Sequence, residues 1–226
     1  MLKSIIFDLD NTLVNFWQFK QESAREASAA MVAAGLPMTE QGAYNLIFKI
    51  YEQKGVEYQL VFTDMIKPFN FPKAQFEKIR DAGIVAYLRK KGQVLKPYPG
   101  IPETLAELKK SYSLAVLTDA AREQAHQRLN FTGLAEYFEQ VGTFHDTNIY
   151  KPGTEPFLSI CKKLNVQPSE CLMVGDNPGR DMKGAQAVGM KTCLAKYDPY
   201  FESAGPHPDF SIEQPADLLE VVRRIG

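Results

Sequence analysis

Four short stretches of the chain are apolar without alternation: residues 4–9, 113–118, 171–175 and 191–195. A strand with one face in water alternates apolar and polar side chains, whereas a strand covered on both faces does not. These runs therefore predict buried strands. Weaker strand patterns occupy residues 138–144 and 209–212. Between the runs the period changes to that of helices, over residues 101–111, 121–129, 154–164, 180–188 and 216–225. Pro102 and Pro152 stand at or just before two of these predicted starts, where a missing N–H costs little. Strand and helix alternating from residue 93 onward predict an α/β fold, a doubly wound parallel sheet.

The stretch after the first strand breaks that alternation. Helical periods cover residues 16–34, 40–53, 57–67 and 73–90, separated by Gly35-Leu36-Pro37, Lys54-Gly55 and the segment from Pro68 to Pro72. Spacings such as Leu46, Ile47, Ile50 and Tyr51 suit an antiparallel bundle with short loops. Lys96-Pro97-Tyr98-Pro99-Gly100 is a stiff, turn-rich return. The predicted organisation is a core of residues 1–15 and 93–226 interrupted by an all-α helical-bundle insert, residues 16–92, with hinges near 14–16 and 93–97.

Composition narrows the partners. The 226 residues are 45% hydrophobic and carry a net charge of −1, so nothing attracts nucleic acid or anionic lipid in general. The paired basic residues are short and scattered, as on solvated helix faces. Cys161, Cys171 and Cys193 are sparse and lack C-x-x-C spacing, which fits buried packing thiols in a reducing compartment. Lys3, Asp8 and Asp10 interrupt the first apolar stretch and argue against a signal peptide. No run approaches the roughly 18 apolar residues that span a bilayer. The expectation is a cytoplasmic protein without a membrane partner, a monomer or weak homodimer.

Sites on open parallel sheets form at the carboxyl ends of strands. Asp8 ends the first predicted strand, Thr118 and Asp119 end the second, and Asp176 follows the third; Asp181 comes five residues after Asp176, and Lys151 is predicted to open a helix after the weak strand near residue 140. Clustered carboxylates repel unless a cation sits among them. An all-oxygen set without His or Cys suits Mg²⁺. One aspartate of the Asp8/Asp10 pair can then bind metal and act as a nucleophile, and the other is placed to exchange a proton. Thr118 and Lys151 would offer a hydroxyl and a cation to phosphate oxygens. Phe16, Trp17 and Phe19 follow this loop and are candidates either for the core or for a substrate pocket.

"DLDNT" (8–12), "LTDA" (117–120), "YKP" (150–152) and "GDNPGRD" (175–181) resemble, in order and spacing, the four motifs of the haloacid dehalogenase-like hydrolase superfamily. The helical insert after the first motif resembles the C1 cap of its subfamily IA. The resemblance implies a Rossmann-like core and a phosphomonoesterase acting on a small phosphorylated metabolite. It implies that Asp8 forms an aspartyl-phosphate and that Asp10 serves as acid and base, its carbonyl also ligating Mg²⁺. It further implies Thr118 and Lys151 on the phosphoryl group, Asp176 as a metal ligand and Asp181 holding metal-bound water. Asp119 stands where many relatives carry Asn; it is counted with the phosphate-binding residues, but a carboxylate turned inward would repel phosphate. A phosphomutase of the same superfamily is the alternative, and a phospho-accepting signalling or binding module is the alternative of a different class. Dehalogenation fits less well, because that branch lacks the second aspartate of the first motif.

Overall fold

The computed structural model describes residues 1–197 and 204–226. The chain opens with strand β1 (Ser4–Phe7), followed by helices α1 (Phe16–Ala33), α2 (Glu40–Lys54), α3 (Val61–Ile66) and α4 (Lys73–Val94). Alternation follows: α5 (Ile101–Leu108), β2 (Ser113–Leu117), α6 (Arg122–Phe131), β3 (Gln140–Gly142), α7 (Phe144–Thr147) and α8 (Thr154–Leu164). It continues through β4 (Cys171–Gly175), α9 (Lys183–Ala187), β5 (Lys191–Ala195), β6 (Phe210–Ile212) and α10 (Leu218–Ile225). The chain divides into two compact units, Met1–Asn15 with Lys96–Gly226, and Phe16–Leu95. No helix among the described residues is long and apolar enough to cross a membrane.

In the first unit the strands form one parallel sheet in the order β3-β2-β1-β4-β5-β6. Phe7 of β1 is level with Val116 of β2 on one side and with Val174 of β4 on the other. The sheet grows from β1 to β3 in one direction, then the chain crosses back to β4. Strand order therefore reverses between β1 and β4, and the loops leaving their carboxyl ends diverge to open a crevice. Every residue of β1 and β4 is buried, the reason their sequences are continuous rather than alternating. Helices lie on both sides of the sheet. On one of them Phe157 and Ile160 of α8 and Ala185 of α9 pack with Ile6 and Met173 of the sheet. Burying a large apolar side chain of this kind contributes about 1.5–3 kcal/mol.

The second unit is helical. Thr39 caps α2 by accepting the Gly42 N–H at 3.0 Å. Met31 of α1 lies so close to Gly83 of α4 that a Cβ there would come within 2.7 Å of it, so this glycine sets the spacing of the two helices. Phe16 and Phe19 are buried, and their rings meet at 5.1 Å; Trp17 packs on Phe48 at 5.5 Å. Around them sits a buried lysine that the pattern of apolar residues does not suggest. The Lys20 ammonium lies 5.0–5.7 Å from the ring centres of Phe16, Phe19, Tyr51 and Tyr87 and donates to the Val56 carbonyl at 2.8 Å.

Several expected boundaries move for local reasons. The helix expected over 57–67 is confined to Val61–Ile66, because Gly55 ends α2 at φ 90° and Pro68 lies in a three-residue 3₁₀ turn. The helix expected to start at 180 begins as a wider π-helical turn at Pro178–Met182, capped by Asn177 accepting the Arg180 N–H at 3.1 Å. Lys151 does not open a helix; it lies in a turn three residues before α8. The short α7, opened by a Thr143/Asp146 capping box, carries too few residues to show a period.

Candidate active site

Asp8 leaves the end of β1 with its N–H donating to Val174 O at 2.8 Å, which fixes it beside β4. The chain then turns tightly: Leu9 O accepts the N–H groups of both Leu13 and Val14, and Asn11 takes a left-handed conformation at φ 63°, which Asn tolerates better than most residues. Thr12 Oγ1, inside this turn, reaches Asp8 Oδ2 at 3.4 Å. The Asp10 carboxylate turns elsewhere and pairs with the guanidinium of Arg128 on α6, a buried side chain.

At the next strand end the Thr118 N–H donates to Gly142 O at 2.9 Å, and Thr118 Oγ1 accepts the Ala120 N–H at 3.1 Å. The Asp119 carboxylate is fully engaged. Its Oδ1 accepts the main-chain N–H of Lys151 at 2.9 Å, and its Oδ2 pairs with Arg180 at 3.3 Å. Asp119 thus anchors the backbone whose side chain enters the site.

Lys151 is the hub. Its Nζ donates to Asp8 Oδ1 at 2.6 Å, to Asp181 Oδ1 at 2.7 Å and to Leu117 O at 3.1 Å. Burial opposes its positive charge, but Asp181, Asp8 and Asp119 outweigh burial and raise its pKa. Asp181 is completely buried, its Oδ2 also accepting the Asn177 N–H at 3.1 Å. Burial pushes its carboxyl up, Lys151 pulls against that, and Asp8 adds to the rise. The carboxylate lies directly on Gly175, where any Cβ would collide with Asp181 Oδ2.

One ammonium does not balance these carboxylates. Ligand oxygens of Asp8, Asp176 and Asp181 lie within 4.8 Å of one another, all three residues being buried. Asp176 Oδ1 is buried with no hydrogen-bond partner. Burial, then the charges of Asp8 and Asp181, push the Asp176 carboxyl up to about 8, against Arg180 and Lys151. An orphaned carboxylate oxygen beside two others is the arrangement a hard cation relieves, and the donors are all oxygen. The residues present fit a divalent metal.

The structure brings together Asp8, Lys151, Asp176 and Asp181 around one point at the end of β1 and β4. Asp181 lies in the same cluster, its carboxylate within 4.8 Å of ligand oxygens of Asp8 and Asp176. Arg128, Arg180 and Thr12 were not singled out by the motifs. Arg128 is 118 positions from its partner and sits in a polar helix, so no local pattern marks it. Its one signal is a place on the helix that follows Thr118 and Asp119.

A parallel sheet with aspartates at the switch point and an inserted helical unit defines a class, and similarity to known proteins gives that class its name. The chain belongs to the haloacid dehalogenase-like hydrolases, whose family model matches residues 5–195. It is 32% identical over 228 residues to the glyceraldehyde 3-phosphate phosphatase of Methanocaldococcus jannaschii, covering 100% of this chain and 99% of that one. The pyrophosphatase PpaX of Bacillus cereus is 34% identical over 135 residues, 58% of this chain and 61% of the relative. The crystal structure of a HAD phosphatase from Thermococcus onnurineus superposes with a TM-score of 0.72 at 23% identity, covering 98% of both chains, a likeness of fold.

Proposed function

We propose that this chain is a Mg²⁺-dependent phosphomonoesterase of a small phosphorylated metabolite, working through an aspartyl-phosphate on Asp8. The observation that carries the proposal is Asp8 held by Lys151 at 2.6 Å beside the orphaned oxygen of Asp176. An Asp8 oxygen attacks phosphorus; the bond from Asp8 to phosphorus forms as the ester P–O bond breaks. The leaving oxygen takes a proton from Asp10. Water then gives a proton to Asp10 and attacks phosphorus, releasing orthophosphate and restoring the Asp8 carboxylate. To do this Asp10 exchanges its contact with Arg128 for the reacting oxygen.

Lys151 offsets charge between Asp8 and the phosphoryl oxygens, and the Thr118 hydroxyl donates to one of them. Asp119 acts on the same group indirectly, by holding the Lys151 main chain and Arg180. Asp8, Asp176 and Asp181 would hold the metal, with the Asp10 carbonyl completing the set. Bound there, Mg²⁺ would supply the positive charge that polarises the phosphoryl group. In this reading residues 16–92 are the insert that sets specificity, and the protein works in the cytoplasm without nucleic acid or membrane.

The relatives named as glyceraldehyde 3-phosphate phosphatases favour a triose phosphate as substrate, and those named as pyrophosphatases make pyrophosphate its competitor. Orthophosphate release from both compounds, with Mg²⁺ and with EDTA, separates them. The expected result is Mg²⁺-dependent release from the triose phosphate, abolished by Asp8→Asn. An active Asp8→Asn variant, or isomerised sugar phosphate without free phosphate, would overturn the assignment.

A further inference from the structure

We propose that α4 forms a contact with a second copy of this chain, packed antiparallel about a two-fold axis at Val85. The helix has two faces. Ile79, Gly83 and Ala86 are buried within the helical unit. On the opposite side Asp81, Val85, Leu88 and Gly92 recur at intervals of four, three and four residues, the period of a seam between two helices. Val85 is 64% exposed, Leu88 57% and Ile84 37%, three large apolar side chains gathered within little more than one turn.

Beside them runs a groove of about 400 Å³ between α1 and α4, lined by Ala30, Ala82 and Ala86 together with Asp81, Val85 and Arg89. Large side chains thus stand next to a trough of small ones on a single surface. That is a self-complementary pattern, as a two-fold interface requires. Leu88 lies three residues after Val85, and Ala82 lies three residues before it. An axis at Val85 seats each Leu88 against Ala82 of the other copy.

The charges select the direction. Asp81 and Arg89 each lie four residues from Val85, on opposite sides, about 6 Å along the helix axis. Antiparallel pairing sets each Asp81 opposite an Arg89 of the second copy. Parallel pairing would set like against like. Within one chain Asp81 pairs with Arg80 at 2.8 Å and Arg89 with Glu26 at 3.5 Å, both at the surface and both able to re-pair.

Sedimentation velocity of the full chain from about 1 to about 100 µM tests this. The expected result is a concentration-dependent monomer–dimer equilibrium that Leu88→Glu weakens at least about tenfold. D81R and R89D, each alone, place like charges across the contact and weaken it to a similar degree. Mixed, these two variants carry opposite charges at both ends of the contact and associate again as a heterodimer. Circular dichroism and melting curves matching the parent show that each variant is folded. A monomer throughout the range would overturn the proposal. So would a dimer indifferent to Leu88→Glu, a mixture that associates no better than its parts, or a monomer whose α4 face binds lipid vesicles.

Discussion

Two buried lysines are handled in opposite ways by the two units. Lys20, in the helical unit, is surrounded by the faces of Phe16, Phe19, Tyr51 and Tyr87 and donates to a carbonyl, with a Glu57 carboxylate oxygen 4.0 Å away. Lys151, in the α/β unit, touches two carboxylates at 2.6 and 2.7 Å, with Asp176 close by. Aromatic quadrupoles and a carbonyl dipole satisfy a cation without carrying net charge. Carboxylates over-satisfy it, leaving negative charge that another cation and an electrophile can use. A buried charge is thus a packing solution in one unit and a chemical resource in the other.

The sharpest way to break the comparison is at Asp8. Asp8→Asn keeps the shape but removes the proposed nucleophile, and phosphate release should fall by roughly a thousandfold or more. Melting curves should show the fold intact. Lys151→Met comes next: it strands Asp8 and Asp181 together, and unfolding by denaturant should detect a loss of about 3 kcal/mol along with activity.

The metal-free site should also make stability depend on pH. The Asp176 carboxyl is raised to about 8 in the folded chain, above its unfolded value. Between those two values the folded state holds the extra proton, so its stability falls as pH rises through that window and is fully present only below the unfolded pKa. The slope should reach about 1.4 kcal/mol per pH unit in EDTA. Saturating Mg²⁺ should flatten it and raise stability by about 2.7 kcal/mol at a hundredfold excess over Kd. Melting temperatures across pH with and without Mg²⁺ check both, and Asp176→Asn should abolish the difference.

Arg128→Met removes the buried partner of Asp10, which is itself only partly buried; a loss near 2 kcal/mol is expected. Kinetics then read whether kcat falls more than KM changes, as a positioning role for Arg128 requires. The smallest effect belongs to Lys20→Met, a change close in length into an aromatic surround, at about 1 kcal/mol. A larger loss there than at Lys151 would reverse the comparison.

The buried strands were legible because a short, unbroken apolar run such as Ile5-Ile6-Phe7, bounded by polar residues, suits a strand covered on both faces. Strand ends then pointed to Asp8, Thr118 and Asp176. Pairings across the sheet were not legible. Asp181 is marked by its motif, but its contact with Lys151 is not, because the π-helical turn that swings it there leaves no period in the sequence. Asp119 reads as an anomaly in a phosphate site until its carboxylate is found holding a main-chain N–H and a guanidinium. Arg128 is one charge among many on a polar helix. Each of these depends on a contact between residues tens of positions apart, which no local period encodes.

Gly175 carries a further consequence. Strand β4 leaves bare backbone at its last position, and Asp181 lies flat against it. A single methyl group there would act as a wedge, levering the carboxylate off the lysine while removing no functional group at all. Every proposed catalytic side chain would survive unaltered, yet they would no longer meet.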